Sequence, residues 1–382
     1  MVNRNGATPP HSPLVVISIL NWNTWQETLE CLESVRQLDY PNYLAVVVDN
    51  GSWNGSAEKI KAWAESKLGP GHVLAEYTRE TALGGGDPET DKALDGTSSP
   101  VRMVLIRSEQ NLGFTGGNNV AIHYALHRSA PADYVMLLNN DAKASSDCVA
   151  TLVSVARRSG AGIVGALVMD PSGQYPEHPG TASLKGFFFR PILRYYTPYP
   201  ECDGDFWESS FAHGGGMLIA GKVLRDVFRR RSDYLSSQFF LCHDEFEFLF
   251  HARALGYKTV IAPKARVVHQ FGKSCGDGVL NAYYSRRNLI RLSRLALSFP
   301  SKIFFDVYNL AWLPVWLLRL ATTGRARLVW PTCLGHRDGY LVVMGKWKHH
   351  DAVMQARRSK AADPAGLPGT RASAPGRDPA GI

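Results

Sequence analysis

From Leu14 onward the chain alternates short apolar runs with longer stretches in which apolar positions recur every three or four residues. LVVISIL (14–20) predicts a buried strand, and residues 25–38 predict a helix with Leu29, Leu32 and Val35 on one stripe. YLAVVVDN (43–50) predicts a second strand, followed by a helix over 57–66. VRMVLIRS (101–108), a helix over 117–127, DYVMLLNND (133–141), a helix over 146–159 and GIVGALVM (162–169) continue the alternation. Strands joined by helices of this length build βαβ units, and so an α/β fold whose parallel sheet is covered on both faces. Two segments break the rhythm. Residues 1–12 read as a flexible lead, and residues 68–100, rich in Gly, Pro, Asp and Ser, read as a surface insertion.

In an open α/β sheet, ligands bind beyond the carboxyl ends of the strands. Asn21 and Asn23 follow the first strand, Asp49 and Asn50 end the second, and Asn139 and Asp141 end the fourth. One such residue is an ordinary turn or cap. Three Asx-rich strand ends on one sheet edge point to a site.

Composition narrows the classes. The chain has 382 residues, 45% hydrophobic and 20% charged, which excludes a disordered chain, a collagen-like repeat and a coiled coil. The length exceeds what one mid-sized core usually holds, so a domain plus an extension is expected. No run reaches the roughly 18 apolar residues of a spanning helix, which argues against a polytopic membrane protein. The run at 14–20 has no basic segment before it and no cleavage-like site after it, so it reads as a strand rather than a secretory signal. The six cysteines form no CxxC pair and read as buried or idle thiols of a reducing compartment. The net charge of +8 is concentrated: between Arg286 and Arg327 eight basic side chains face one acid, Asp306. A nucleic-acid-binding surface spreads its charge more widely, so no nucleic-acid partner is expected.

The motifs carry a resemblance. ISILNWN (17–23), VVVDNGSWNGS (46–56), NLGFTGGNN (111–119) and MLLNND (136–141) occur in that order. GGGMLIAG (214–221), HDEFEFLFHARALGY (243–257), VVHQFG (267–272) and YYSRRN (283–288) follow. Each is weak alone. The ordered set resembles an inverting family 2 glycosyltransferase of the GT-A fold, in its rhamnosyltransferase- and galactofuranosyltransferase-like branch. The resemblance implies a Rossmann-like nucleotide-diphospho-sugar transferase domain over 13–278. It implies transfer of a sugar from a UDP- or dTDP-sugar, with inversion, to a hydroxyl of a glycan or lipid-linked glycan.

Such a reaction needs a divalent cation, Mg²⁺ or Mn²⁺, to neutralise the diphosphate leaving group, and these ions take hard oxygen ligands. The family's DxD motif falls on Asn139-Asn140-Asp141, with Asn139 in place of the first Asp. Asp141 is then the charged metal ligand, and the resemblance places a second ligand at His269. By the same resemblance Asp49 holds the nucleoside and Asn111 to Gly113 lie along the donor pocket, joined by Asn21, Asn23 and Asn139. The ED-x-D motif falls on Asp244-Glu245-Phe246-Glu247, with Glu245 as general base and Asp244 as its rival. His213-Gly214-Gly215-Gly216 matches neither a P-loop nor a dinucleotide fingerprint, which also argues against an oxidoreductase. Gly215 and Gly216 are expected to let the backbone pass close to donor and acceptor sugars, with Arg287 on the acceptor side. Because Asn139 and Glu245 depart from the family pattern, the alternative is an impaired member serving as a binding subunit of a glycan-assembly complex.

Residues 279–350 predict a helical, basic-aromatic region. Phe304, Phe305, Tyr308, Trp312 and Trp316 are interrupted by Asp306, Asn309 and Pro314, leaving nine apolar residues (310–318) as the longest run. That is about half a membrane span. Aromatic faces flanked by Arg predict peripheral docking on an anionic leaflet, at the cytoplasmic face of the cell membrane, with packing on the catalytic domain as the alternative. Residues 351–382, rich in Ala, Pro, Gly and Arg, are expected to be disordered.

Overall fold

The structure is a computed structural model that describes residues 12–67, 73–97, 102–176, 182–187, 190–195, 204–270 and 278–362. These form two compact units, divided between residues 270 and 278, with 184–194 grouped with the second. In the first unit the order is β1 (Val15–Asn21), α1 (Trp25–Val35), β2 (Tyr43–Asn50), α2 (Ser56–Lys67), β3 (Val73–Thr78), α3 (Arg79–Leu83), α4 (Pro88–Gly96), β4 (Arg102–Ser108), α5 (Gly113–His127), β5 (Tyr134–Asn139), β6 (Ala142–Ala144), α6 (Cys148–Ser159) and β7 (Ile163–Met169). A ribbon, β8 (Ala182–Phe187) with β9 (Arg190–Tyr195), leads to β10 (Trp207–Glu208), β11 (Gly216–Ala220), α7 (Gly221–Arg231), α8 (Asp244–Ala254) and β12 (Thr259–His269).

Among the described residues one ten-stranded sheet runs β10-β12-β7-β11-β5-β1-β2-β4-β3, with β6 added on β12. The half around β1 is parallel, as the βαβ alternation predicts. The other half is mixed, because β11 lies antiparallel between β5 and β7. β1 and β2 read as continuous apolar runs because helices cover both sides: nearly every residue in them is buried. Each fully buried Val, Leu or Ile contributes about 1.5–3 kcal/mol relative to exposure.

The segment read as a surface insertion is instead part of the fold. Its residues 73–78 form edge strand β3, paired in parallel with β4, and Gly84, Asp87 and Pro88 sit at helix ends. Asp87 accepts from the Thr90 amide at the start of α4, Pro88 occupies the first turn, and Gly84 ends α3. A buried polar cluster ties it down. Asp91 accepts from the hydroxyls of Tyr77 (3.0 Å) and Tyr124 (2.7 Å), and Arg128, fully buried, pairs with Asp91 (3.7 Å) and Asp95 (2.8 Å). Asp91→Ala leaves that guanidinium and two hydroxyls short of a partner, so a loss of about 3–5 kcal/mol is expected in denaturant titration. A loss under about 1 kcal/mol would show that Asp95 alone holds Arg128.

The second unit contains α9 (Val279–Ala296), α10 (Phe299–Thr322), a 3₁₀ turn (Ala326–Leu328), α11 (Val329–Tyr340) and α12 (His350–Ala362). Gly335 lets α11 press onto α9, since a Cβ there would stand 2.3 Å from the Tyr283 carbonyl oxygen. Helix α10 continues through Pro314, so that although its longest apolar run is still 310–318 the whole helix is long and apolar enough to cross a membrane by length and composition. Polar interruptions break a run in sequence but not a helix whose Asp306 and Asn309 find partners on one face. The expected tail is likewise helical as far as Ala362, while 363–382 and the lead 1–11 lie outside the described residues.

Candidate active site

β1 sits where the strand order reverses, with β2 on one side and β5 on the other, which opens a crevice at their carboxyl ends. The register places Asn21 beside Asp49 and Leu20 beside Asn139. The Asn21 amide donates to Asp49 (2.6 Å) and Ser52 (3.1 Å), and its oxygen accepts from Thr28 (2.9 Å). Ser52 also accepts from the Asn23 backbone amide (2.9 Å), and Asn23, at φ +60°, takes the Trp53 amide on its side-chain oxygen (3.0 Å). Trp22 and Trp53 meet edge to face at 5.3 Å, forming an aromatic lip beside Asp49. Asn50 reaches across to Asn111 (3.1 Å) and the Gly113 carbonyl (3.1 Å) and accepts from the Leu112 amide (3.0 Å). Asn111 accepts from the Gly113 amide (2.8 Å), and with Asn50 it pins the entry to α5, which starts at Gly113 rather than at the expected 117. Gly113 itself has φ +75°, and a Cβ would lie 2.4 Å from the Phe240 carbonyl oxygen, so this position requires glycine.

β6 pairs antiparallel with the end of β12, setting Ala142 opposite His269 and so bringing His269 beside Asp141. Asp141 Oδ1 and His269 Nε2 are 3.0 Å apart, with the residues 8% and 6% exposed. The Asn139 amide nitrogen is also 3.0 Å from His269 Nε2. One ring nitrogen cannot both accept from Asn139 and donate to Asp141. An unprotonated Nε2 has one lone pair, which serves either the Asn139 amide or a cation beside Asp141, so a metal held by Asp141 and His269 would take the place of Asn139 on the ring. Two ligands at right angles on an octahedral ion, each about 2.1 Å from it, stand about 3.0 Å apart, so the pair fits Mg²⁺ or Mn²⁺ in donor type and spacing. Among the described residues no third Asp, Glu, His or Cys joins them, so phosphate oxygens and water would complete the shell.

His213 was legible in the sequence only as part of a glycine run. Its Nδ1 accepts from the Gly215 amide (2.9 Å), and its ring meets that of His269 edge to face at 5.5 Å. A Cβ on Gly215 would fall 2.9 Å from His213 Nδ1 and 3.2 Å from the Asn139 amide nitrogen. Gly214 in turn faces Glu245, its amide bonding the carboxylate, and a Cβ there would stand 3.0 Å from Glu245 Oε1. The loop 213–215 thus links the Asp141–His269 pair to Glu245 by direct contacts.

Glu245 lies in the first turn of α8, where the helix dipole favours a carboxylate. Desolvation outweighs that dipole and the Gly214 bond, so its pKa is raised above the ordinary glutamate value. Asp244 is buried, and Glu247 is engaged by Arg231 and His251 (3.2 Å), leaving Glu245 as the partly exposed acid of that turn. The approach to α8 is strained: Phe240, Cys242 and His243 have φ of 64°, 69° and 61°. Each costs on the order of 1–3 kcal/mol and persists only where the surroundings enforce it. The Phe240 carbonyl accepts from the Phe114 amide (2.7 Å), which bolts this segment to the start of α5.

Two expected residues are engaged in packing within their own units. Gly216 opens β11 in the sheet interior, where a Cβ would press on Ala166 and Val267 at 3.2 Å, so it is a packing glycine. Arg287 belongs to the second unit and is fully buried there, donating to the Gly345 carbonyl (2.6 Å) and lying over the Tyr284 ring (4.9 Å). Ser52, Thr28 and Asn140, which the sequence did not single out, hold the crevice. Asn140 donates to Thr24 (2.7 Å) and Thr28 (2.9 Å).

The crevice residues through Asp49 lie in a segment with a known counterpart. Residues 15–86 match the family model for glycosyl transferase family 2. The low-salt glycan biosynthesis hexosyltransferase Agl10 of Haloferax volcanii is 26% identical over 152 residues, covering 39% of this chain and 45% of the relative. The chain thus matches less than half the length of that curated relative. Among solved structures, GalNAc-T7 with UDP, GalNAc and Mn²⁺ superposes with TM-score 0.54 at 12% identity, over 82% of this chain and 58% of that one. The mannosyltransferase PcManGT of Pyrobaculum calidifontis, in complex with GDP-Man and Mn²⁺, gives TM-score 0.49 at 14% identity, over 93% and 82%. The fold is GT-A-like, with a helical C-terminal region, and the family match supports a family 2 glycosyltransferase.

Proposed function

We propose that this chain transfers a sugar from a nucleoside-diphosphate sugar to a hydroxyl of a glycan or lipid-linked glycan, with inversion. The observation that carries the reading is the unbroken series of contacts from Asp141 and His269, through Asn139 and the 213–215 loop, to Glu245. Beside it, through the pairing of β1 with β5, lie Asn21 and Asp49 at the carboxyl ends of β1 and β2, within the residues 15–86 that match family 2. Asp49, Asn21, Asn23 and Ser52 would hold the nucleoside under the Trp22–Trp53 lip, with Asn111 and Gly113 along the donor. Asp141 and His269 would hold Mg²⁺ or Mn²⁺, with the Asn139 amide released from His269 Nε2 toward the donor. The ion, when bound, supplies positive charge for the departing diphosphate. Glu245 takes the proton of the acceptor hydroxyl as its oxygen bonds the anomeric carbon. The bond to the diphosphate oxygen breaks on the opposite face, and its electron pair leaves with the diphosphate. Gly214 and Gly215 keep the backbone flat between the two reactants.

The motif order favours the rhamnosyl- or galactofuranosyltransferase-like branch and a UDP- or dTDP-linked donor. The basic second unit favours work at the cytoplasmic face of an anionic membrane. A thermal-shift series of UDP- and dTDP-sugars, with and without Mn²⁺, tests the donor assignment. A donor at 100 times its Kd is expected to stabilise the fold by about 2.7 kcal/mol, and only with Mn²⁺ present. A flat response across the series would reject it.

A further inference from the structure

Helix α10 exposes its apolar side and hides its polar one. Asp306 accepts from Arg294 (2.7 Å) and from the Tyr340 hydroxyl (2.8 Å), and Asn309 accepts from Arg286 (2.9 Å), so the polar groups turn toward α9 and α11. The opposite side carries Ile303, Phe304, Val307, Leu310, Val315 and Leu318, all exposed, whose positions along the helix place them on one broad face. No charged residue falls between Asp306 and Arg319, and only 17% of the helix's apolar window is buried. A water-facing surface of this size and composition is unusual for a soluble monomer.

We infer that α10 is a monotopic membrane helix, lying in the plane of one leaflet with this face sunk among the acyl chains. Three features select a bilayer as the occupant. The face is flanked by cations, Lys302 near one end and the exposed Arg325 and Arg327 just past the other, matching an anionic headgroup layer. Trp330, exposed beside those arginines, adds an interfacial aromatic. The helix also has the length to span, yet its first half is tied by Arg286 and Arg294 to helices that bring charge with them. Drawing that trio through hydrocarbon is costly, so an in-plane position is favoured over a crossing. This goes beyond salt-sensitive docking by charge: the apolar face, not the arginines, holds the protein on the membrane. It does not depend on the transferase reading, because its readout is binding.

The test is flotation of the full chain with sealed vesicles of neutral lipid containing 30% anionic lipid, taking ~10-fold loss of bound protein as the threshold. Wild-type protein is expected to float and to remain bound in 1 M NaCl, since the Debye length there is about 3 Å and only the apolar contribution survives. Val307→Asp with Leu318→Asp, both on the exposed face, is expected to stay folded by circular dichroism and to lose at least ~10-fold of the bound fraction. Protease added outside is expected to cleave the segment after α11 in the bound protein. Release of the wild type by salt, equal flotation of the double variant, or protection of that segment would each overturn the inference. A stable dimer without vesicle binding, made monomeric by the double variant, would assign the face to a second copy instead and would equally overturn it.

Discussion

Glu245→Gln is expected to lower turnover by at least ~10²-fold while leaving donor binding unchanged, the scale for removing a general base. The expectation rests on position and environment together. Glu245 is the partly exposed acid of its turn, held by the Gly214 amide, and desolvation raises its pKa above 4.5. A base acts only when ionised, so the acid limb of kcat/KM in the wild type should lie above the ordinary glutamate value and vanish from the residual activity of the variant. The stability sign follows from the same shift. A carboxyl whose folded pKa is raised adds stability below its unfolded value and loses it as pH rises through the folded one. At neutral pH the ionised Glu245 is therefore a burden, and the Gln variant should melt no lower than wild type. Lost activity with equal or higher Tm is what a functional, rather than structural, carboxylate produces. If Asp244→Asn gives that pattern and Glu245→Gln does not, the two roles are reversed.

Asp141→Ala is the second large effect. It removes the charged member of a buried pair whose other member, His269, stands 3.0 Å away. Charge stabilisation by a catalytic metal amounts to several kcal/mol, so losing the ion at about 4 kcal/mol corresponds to roughly a 10³-fold drop. Donor stabilisation by Mn²⁺ in a melting experiment should disappear with it, while the apo Tm changes little because Asp141 lies beyond the end of β5 rather than within it. Unchanged Mn²⁺-dependent turnover would remove Asp141 from the site.

Much of this was legible in the sequence because β1, β2, β4 and β5 are continuous apolar runs that end in Asx residues, and burial and site placement both follow from that pattern. The edge strand β3 was hidden because its neighbours Gly84, Asp87 and Pro88 are turn formers in one context and helix caps in another. The entry to α5 is held by Asn50, a residue 62 positions before Leu112, which no local pattern reports. Gly216 and Arg287 sat in motifs beside the candidate site residues. Their side of the backbone and their unit are set by tertiary packing. His213 gave no signal beyond a histidine before three glycines; its role appears only when β11 folds back along β5.

The most direct test of the central claim is nucleoside-diphosphate release by the full chain. The substrates are the UDP- and dTDP-sugars that raise its melting temperature, assayed with Mn²⁺ for wild type, Glu245→Gln and Asp141→Ala in parallel. Release by the wild type, loss in both variants, and a donor-induced shift kept only in Glu245→Gln is the predicted result. With water standing in for the acceptor hydroxyl, donor cleavage by Glu245→Gln or Asp141→Ala equal to that of the wild type would contradict a transferase acting through this site.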